Sequence, residues 1–557
     1  MNNKGVSRRI FLKEAGAGAL MAPMMPAALG GAAANASASP APAFPMIQRG
    51  ARKRNVLFIS TDDCCNRLAV YGGQAKTPNL NRFARSAVRF DRAYNQYPLC
   101  SPSRSSLMTG LAPDTTKVYD LTTHFRETLP DVVTLPQAFL HNGYFTARAG
   151  KIYHYGNPNQ IGTSGLDDPP SWNETVNPAG VDRTKEQVLL EFLDPSRRSS
   201  PGARGFAGVT LRGCADGWPA DGSPVGAEVP GGNFYGVGEA LHASSSRPEL
   251  HTDYLVADAA IAMLEKRRLQ PDDPWFIGVG FYKPHVPWIV PSQYFDMNPL
   301  QDIEAVPLHP GEMKVAPRWA YNSLVPNRGM SVENCRRATQ AYYAAQSFLD
   351  SNIGRVLDAL QRVGLAENTT VVFWSDHGWQ LGEHGQWEKQ TLFEPSARVP
   401  LMIGGAGVAG AGQVCPRTVE HLDLYPTLAE LCDLQAIPSN LHGKSLAPLL
   451  ADPQARWDRP AISQVYRHAV SGAAGRAEAI PPGGIMGYSL RTERYRYTFW
   501  KEGSEGEELY DYQVDPKESR NLAADNRVAG LKATLRASLE SICRERGMAS
   551  APGALKA

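Results

Sequence analysis

The residues best able to do chemistry begin with Cys100-Ser101-Pro102-Ser103-Arg104, which continues as Ser105-Ser106-Leu107-Met108-Thr109-Gly110. A thiol and a guanidinium stand four residues apart at the mouth of a short helical pattern. A helix N-terminus attracts anions through its unpaired N–H groups and its dipole. An arginine one turn along adds a planar cation suited to oxyanions. The stretch reads as a nucleophile-like side chain in an anion-binding corner, with a buried structural cysteine as the alternative. Other candidates sit where apolar runs end. Asp62 and Asp63 follow the run 55–60, and adjacent carboxylates repel unless a cation lies between them. Lys151 and His154 follow 144–148, a spacing that fits an anion site as well as a surface lysine. Lys283 and His285 close the run 275–281. Pro284 and Pro287 flank the histidine, which suits a rigidly placed general acid or a packed structural ring. Asp376 and His377 close 368–374, and the polar and aromatic loop beyond them carries Trp379, His384 and Lys389. Together these supply carboxylates for a divalent cation, cations for an oxyanion and histidines for proton transfer. That is equipment for displacement at a sulfate or phosphate ester.

The elements that must place these groups are legible as well. Continuous apolar runs such as Asn55-Val56-Leu57-Phe58-Ile59-Ser60 read as parallel strands buried on both faces. Helical patterns at 77–84, 134–140, 254–264, 338–363 and 422–431 alternate with them, which gives an α/β class. In open α/β sheets functional groups gather at the carboxyl ends of the strands, and four such ends carry the candidates. From about residue 456 the pattern changes to a hairpin at 488–492 and 494–500, a strand at 508–512 and a closing helix at 528–543. The expected organisation is a catalytic domain at 50–455 and a smaller C-terminal α+β domain at 456–557 with a short antiparallel sheet. Residues 155–250, rich in Gly, Pro, Asp and Ser, read as an insertion that shapes a pocket and carries specificity.

A chain of 557 residues exceeds one simple core, and 43% hydrophobic with 20% charged residues is ordinary globular composition. The net charge of +2 provides no global basic field, which argues against a nucleic-acid partner. Eight cysteines without a CxxC pair exclude a zinc ribbon and a dense disulfide scaffold, and leave one or two disulfides open. Residues 1–45 read as a targeting segment: Ser7-Arg8-Arg9-Ile10-Phe11-Leu12-Lys13 is a twin-arginine signature ahead of an apolar Ala/Gly/Met run. That run is short and broken by glycine, so no stable membrane span is expected. The expectation is bacterial export through the twin-arginine translocase to the periplasm or beyond.

Cys-x-Pro-x-Arg at Cys100–Arg104 resembles the signature of the formylglycine-dependent sulfatases. The resemblance runs from about residue 55 to 522 and is nearest to the iduronate 2-sulfatases. It is carried also by Thr61-Asp62-Asp63, Gly150-Lys151-Ile152-Tyr153-His154, Lys283-Pro284-His285, Ser375-Asp376-His377-Gly378-Trp379-x-Leu381-Gly382-Glu383-His384-Gly385 and Glu508-Leu509-Tyr510-Asp511. It implies an alkaline-phosphatase-like large mixed sheet flanked by helices. It implies that Cys100 is oxidised by a formylglycine-generating enzyme before export. The aldehyde hydrate would then supply the nucleophile for hydrolysis of a sulfate monoester, on a sulfated carbohydrate. Asp62, Asp63, Asp376 and His377, with the modified residue 100, would hold one calcium ion. Histidine at 377 suits iduronate-type members, although calcium prefers oxygen ligands. Arg104, Lys151 and Lys389 would bind the sulfate, His285 would protonate the leaving alcohol, and His154 would assist sulfate release. Lys-x-x-His at 151–154 again favours the iduronate-type branch. Trp379 and His384 are candidate substrate contacts. Two rival readings stand beside this one: a phosphate or phosphonate monoester hydrolase of the same superfamily, and a sulfated-glycan binding protein whose Cys100 stays a thiol.

Overall fold

A computed structural model of the chain describes residues 53–548 apart from 158–159, 185–246, 287, 289, 436, 468–469, 472–476 and 479–483. The expected targeting segment at 1–45 and most of the expected insertion at 155–250 lie outside the described residues. The strands are β1 (Asn55–Asp62), β2 (Ala87–Tyr94), β3 (Phe145–Gly150), β4 (Glu174–Val176), β5 (Trp275–Pro284), β6 (Thr369–Ser375), β7 (Gln380–Leu381), β8 (Trp387–Glu388), β9 (Arg398–Gly405), β10 (Val414–Glu420), β11 (Ala461–Arg467), β12 (Val470–Ser471), β13 (Ala477–Glu478), β14 (Ile485–Arg491), β15 (Tyr495–Trp500) and β16 (Glu507–Asp511).

Eight of these form one sheet in the order β10-β2-β9-β6-β1-β5-β3-β4. β1 pairs in parallel with both β5 and β6, and β3 pairs in parallel with β5 and β4. β9 runs antiparallel to β2 and to β6, while β2 and β10 are parallel. The carboxyl ends of β1, β3, β5 and β6 therefore share one edge of the sheet. Their apolar continuity has a direct cause. Val56 and Phe58 of β1 enter one core, and Leu57 and Ile59 enter the other, because successive side chains leave a strand on opposite faces. The first core packs under the helices Cys100–Thr109, Leu135–His141 and Leu424–Leu431; the second packs under Pro78–Ala84, Thr252–Arg268 and Val332–Arg362. Each fully buried Val, Leu, Ile or Phe contributes roughly 1.5–3 kcal/mol.

Local sequence sets the helix boundaries. Thr134 caps Leu135–His141 in a reciprocal box with Gln137, and Gly143 follows at φ 78°, a left-handed turn that glycine adopts without Cβ strain. The Ser331 hydroxyl accepts from Asn334 N and starts the 31-residue helix Val332–Arg362.

A second, four-stranded antiparallel sheet has the order β11-β14-β15-β16. The helix Ala529–Glu545 buries Leu535, Leu539 and Cys543 against it. Besides the strands of two or three residues, two longer ones escape a reading by periodicity. β10 is an edge strand whose register breaks between Cys415 and Thr418, around Pro416, which lacks an N–H for a ladder bond. β11 presents Ser463 and Gln464 buried between apolar residues, so its pattern does not alternate by polarity. The seven cysteines among the described residues are free thiols. No helix of the described residues is long and apolar enough to cross a membrane.

Candidate active site

The end of β1 sets the geometry. Its register slips against β5 between Ser60 and Asp62, and Asp63 takes φ 64°. In a regular strand consecutive side chains diverge; the left-handed turn at Asp63 lets both carboxylates face one space. Such a conformation costs about 1–2 kcal/mol in an L-residue. It is held by two bonds: Asp63 N donates to Asp376 Oδ1 at 3.0 Å, and the Tyr342 hydroxyl donates to Asp63 O at 2.6 Å. Asp376 follows β6 directly, one strand over.

Cys100 opens the helix Cys100–Thr109 and is 1% exposed. Its Sγ lies 3.2 Å from Lys389 Nζ, 3.2 Å from His377 Nε2 and 3.8 Å from Asp63 Oδ1. Lys389 also donates to Asp63 Oδ1 at 2.9 Å and lies 3.4 Å from His285 Nε2. Lys151 Nζ donates to Asp62 Oδ2 at 2.5 Å. Arg104, with no exposed surface, donates through Nε to Asp376 Oδ2 at 2.9 Å. Its Nη1 donates to the carbonyls of Lys151 (2.9 Å) and Ile152 (3.0 Å), and its Nη2 to that of Thr61 (2.9 Å). One guanidinium thus ties the ends of β1, β3 and β6. His154 is 6% exposed, and its Nδ1 has no hydrogen-bond partner.

The histidine tautomers follow from their fixed contacts. His377 Nδ1 faces Gly378 O at 2.9 Å, and His285 Nδ1 faces Val286 O at 2.5 Å. Each Nδ1–H donates to a carbonyl, which turns the Nε2 lone pair toward the site. Burial first, then the neighbouring lysines, push His154 and His285 well below the usual imidazole range; burial takes His377 down to about 4. All three rings are neutral at pH 7. Burial also holds the Cys100 thiol well above its ordinary value, and Asp62 adds to it, so this sulfur is a poor thiolate.

The carboxylates divide. Burial is the largest single influence and opposes ionisation of Asp62 and Asp376, but the surrounding groups together outweigh it, led by Lys151 at the first and Arg104 at the second, so both are lowered. Asp63 is pushed well above the usual range by burial, against Lys389, with Asp62 and Asp376 adding repulsion. Three carboxylates face three cations, Arg104, Lys151 and Lys389, all buried. A further positive charge beside Asp63 would offset that repulsion and favour its ionised form. Asp62 Oδ1 and Asp63 Oδ2 are buried without a hydrogen-bond partner. Ligand atoms of Asp62, Cys100, Asp376 and His377 lie within 4.8 Å of one another, and so do those of Asp62, Asp63, Cys100 and His285. Orphaned carboxylate oxygens, an ionised Asp376 and an imidazole Nε2 suit a divalent cation; the oxygens fit a hard ion better than the nitrogen does.

Trp379 and His384 stand to one side. Trp379 is 1% exposed, and the Lys389 ammonium lies 5.8 Å from its ring centroid. His384 stacks on Phe393 at 4.1 Å, between Glu312 at 3.6 Å and Glu518 at 3.8 Å. Both residues line a cavity of about 960 Å³ that also touches Cys65, Asn66 and the turn 516–519. Tyr342, Ser103 and Ser375 also shape the site, in roles that their residue types do not announce. Ser103 Oγ donates to Asp376 O at 2.5 Å, and Ser375 Oγ accepts from Cys64 N at 2.9 Å. The position of Ser103, one turn from Cys100, was the available signal. Tyr342 lies inside a long amphipathic helix and offers none.

The sulfatase family model matches residues 54–434, and the model of the N-sulphoglucosamine sulphohydrolase C-terminal region matches 382–545. A sulfatase of Formosa agariphila is 30% identical over 509 residues, covering 88% of this chain and 87% of that protein. The iduronate 2-sulfatase of Mus musculus is 30% identical over 573 residues, covering 86% and 93%. Among solved structures, the phosphonate monoester hydrolase of Agrobacterium radiobacter superposes with a TM-score of 0.66 at 23% identity, covering 89% of this chain and 96% of that one.

Proposed function

Since the chain belongs to the sulfatase family, a family of sulfate ester hydrolases, we propose that it removes sulfate from a sulfated carbohydrate with the catalytic arrangement of an iduronate 2-sulfatase. The supporting observation is the convergence on Cys100 Sγ of Lys389, His377 and Asp63 within 3.8 Å, in a pocket where the thiol itself is a poor nucleophile. Cys100 is then the precursor of formylglycine, whose hydrate supplies a nucleophilic oxygen and a second hydroxyl. Asp62, Asp63, Asp376 and His377 would hold a calcium ion beside residue 100, which would supply positive charge for the ester oxygens. Lys151 and Lys389 bring ammonium groups to the same space, and Arg104 holds Asp376 in place. His285 keeps Nδ1 on a backbone carbonyl and offers Nε2. An arriving sulfate ester brings negative charge beside that atom, which favours its protonation and so its donation to the leaving alcohol. His154, neutral and with Nδ1 unpartnered, is available to take a proton. Trp379 and His384, on the wall of the neighbouring cavity, contact the sugar.

The twin-arginine string implies installation of the aldehyde by a formylglycine-generating enzyme in the cytoplasm, then export of the folded protein to the periplasm or beyond. Protein from its native host should carry an aldehyde at residue 100 by peptide mass spectrometry. It should release sulfate from defined sulfated oligosaccharides with higher kcat/KM than from a small aryl sulfate. A thiol at Cys100 with no hydrolysis of any sulfate ester sinks the reading, and a phosphonate ester turned over faster than every sulfate ester replaces it.

Calcium has a test that does not depend on turnover. Removing divalent ions with EGTA should lower the melting temperature by several degrees, and millimolar Ca²⁺ should restore it. Ion at a hundredfold excess over its Kd stabilises the folded state by about 2.7 kcal/mol. A melting curve indifferent to EGTA and calcium removes the ion from the proposal.

A further inference from the structure

Asp253 lies away from the residues around Cys100, at the start of the helix Thr252–Arg268, and is 1% exposed. Its two carboxylate oxygens accept consecutive backbone N–H groups at the end of β5: Oδ1 from Tyr282 at 2.8 Å and Oδ2 from Lys283 at 2.9 Å. The place matters because the regular ladder is interrupted there. β5 keeps register with β1 as far as Ser60–Gly280 and with β3 as far as Gly150–Gly280, and then β1 slips and β3 turns away after Lys151 N bonds Gly280 O. Pairing with β1 returns only at Asp62–Pro284, so two consecutive buried amides lie in an irregular stretch of the strand. Asp253 binds both. Its own helix start is fixed in turn: Asp182 Oδ1 accepts from Thr252 N at 2.9 Å and from Thr252 Oγ1 at 2.7 Å, and Gly180 N donates to Thr252 Oγ1 at 2.9 Å. A Cβ on Gly180 would come within 2.3 Å of Thr252 N, so that contact is backbone on backbone.

His285 stands two residues beyond the second clamped amide, with Nε2 3.6 Å from Asp63 Oδ2 and 3.4 Å from Lys389 Nζ. We propose that Asp253 is a positioning residue for His285: its bidentate grip on the end of β5 fixes where that imidazole meets the leaving group. The inference rests on the proposed role of His285 as proton donor. Asp253→Asn keeps the shape but turns one acceptor into an N–H₂ group facing an N–H, so one clamp bond is lost and the strand end relaxes.

The test reads leaving-group dependence, which general destabilisation does not change. A proton donor matters most for poor leaving groups, so Asp253→Asn should lose about 100-fold in kcat on sugar or alkyl sulfates and much less on 4-nitrophenyl sulfate. His285→Ala should show the same steepening, and the double variant should fall no further than His285→Ala alone. Equal losses on all esters, or additive losses in the double variant, overturn the assignment. A second readout is independent of turnover. In protein labelled at histidine, the imidazole resonances of His285, identified by their loss in His285→Ala, should shift in Asp253→Asn. Unmoved His285 resonances overturn the proposal even if no sulfate ester is hydrolysed. A failed proton-donor role appears separately, as a His285→Ala variant with no leaving-group signature.

Discussion

Cys100→Ser should end multiple turnover while leaving the protein folded, with kcat reduced by at least about 10⁴. The substitution changes one buried atom. Residue 100 is 1% exposed, and its environment is polar, with Lys389 and His377 each 3.2 Å from Sγ, so a hydroxyl finds partners there. The melting temperature should therefore move little. Chemistry should fail for a different reason. A serine hydroxyl has no thiol to be oxidised and carries a single oxygen. If that oxygen attacks sulfur, the product is a serine sulfate ester, which can be released only by a second attack of water at sulfur. A hydrated aldehyde has another exit, because its second hydroxyl can re-form the carbonyl as sulfate departs. The variant should then give at most one equivalent of alcohol per enzyme, followed by silence. Rapid-quench measurement of alcohol and mass spectrometry of the peptide containing residue 100 check both parts. Sustained turnover within tenfold of the unsubstituted enzyme would contradict the assignment of residue 100 as the nucleophile's precursor.

How far the sequence disclosed this site depends on the kind of contact. The parallel strands were legible because burial on both faces favours unbroken apolar runs, and β1, β5 and β6 carry such runs at 56–59, 275–281 and 371–374 ahead of their polar ends. The groups at their carboxyl ends were legible for the same reason: a carboxylate or imidazole that closes such a run stands out. Contacts made by backbone conformation were hidden. Nothing in the residue types announces the left-handed turn at Asp63, which is what brings the two carboxylates together. The reach of Tyr342 from a helix 279 residues away was equally invisible, since its pattern serves the packing of that helix. β10 and β11 went unrecognised because one is an edge strand interrupted by proline and the other buries polar residues. Arg104 shows a further limit. Its presence one turn from Cys100 could be read as a cation for the ester, but its hydrogen bonds to three backbone carbonyls could not, because carbonyls have no letter in a sequence.

Those carbonyls make Arg104→Lys the more revealing of the charge-preserving substitutions. The guanidinium satisfies Asp376 Oδ2, Thr61 O, Lys151 O and Ile152 O at 2.9–3.0 Å, and lies 5.5 Å from the centroid of the Trp374 ring. A lysine ammonium keeps the charge but offers three donors from one point, without the planar fork, and cannot reach four acceptors on three strand ends. At least two buried acceptors lose their partners, and Asp376 loses the bond that fixes its orientation. The cost should be about 3–5 kcal/mol of stability, with kcat/KM lowered by about 10²–10³ as the Asp376 carboxylate turns. Arg104→Met, which removes the charge as well, supplies the comparison. If Arg104 served mainly as a counter-charge for the ester, lysine would recover most of the activity that methionine loses, and the urea midpoints of the two variants would differ widely. If its task is to hold the ends of β1, β3 and β6 in register, lysine and methionine should be similarly slow, and EGTA should lower the melting temperature less in either variant than in the parent. Full activity in Arg104→Lys would show that the strand ends hold their register without the guanidinium.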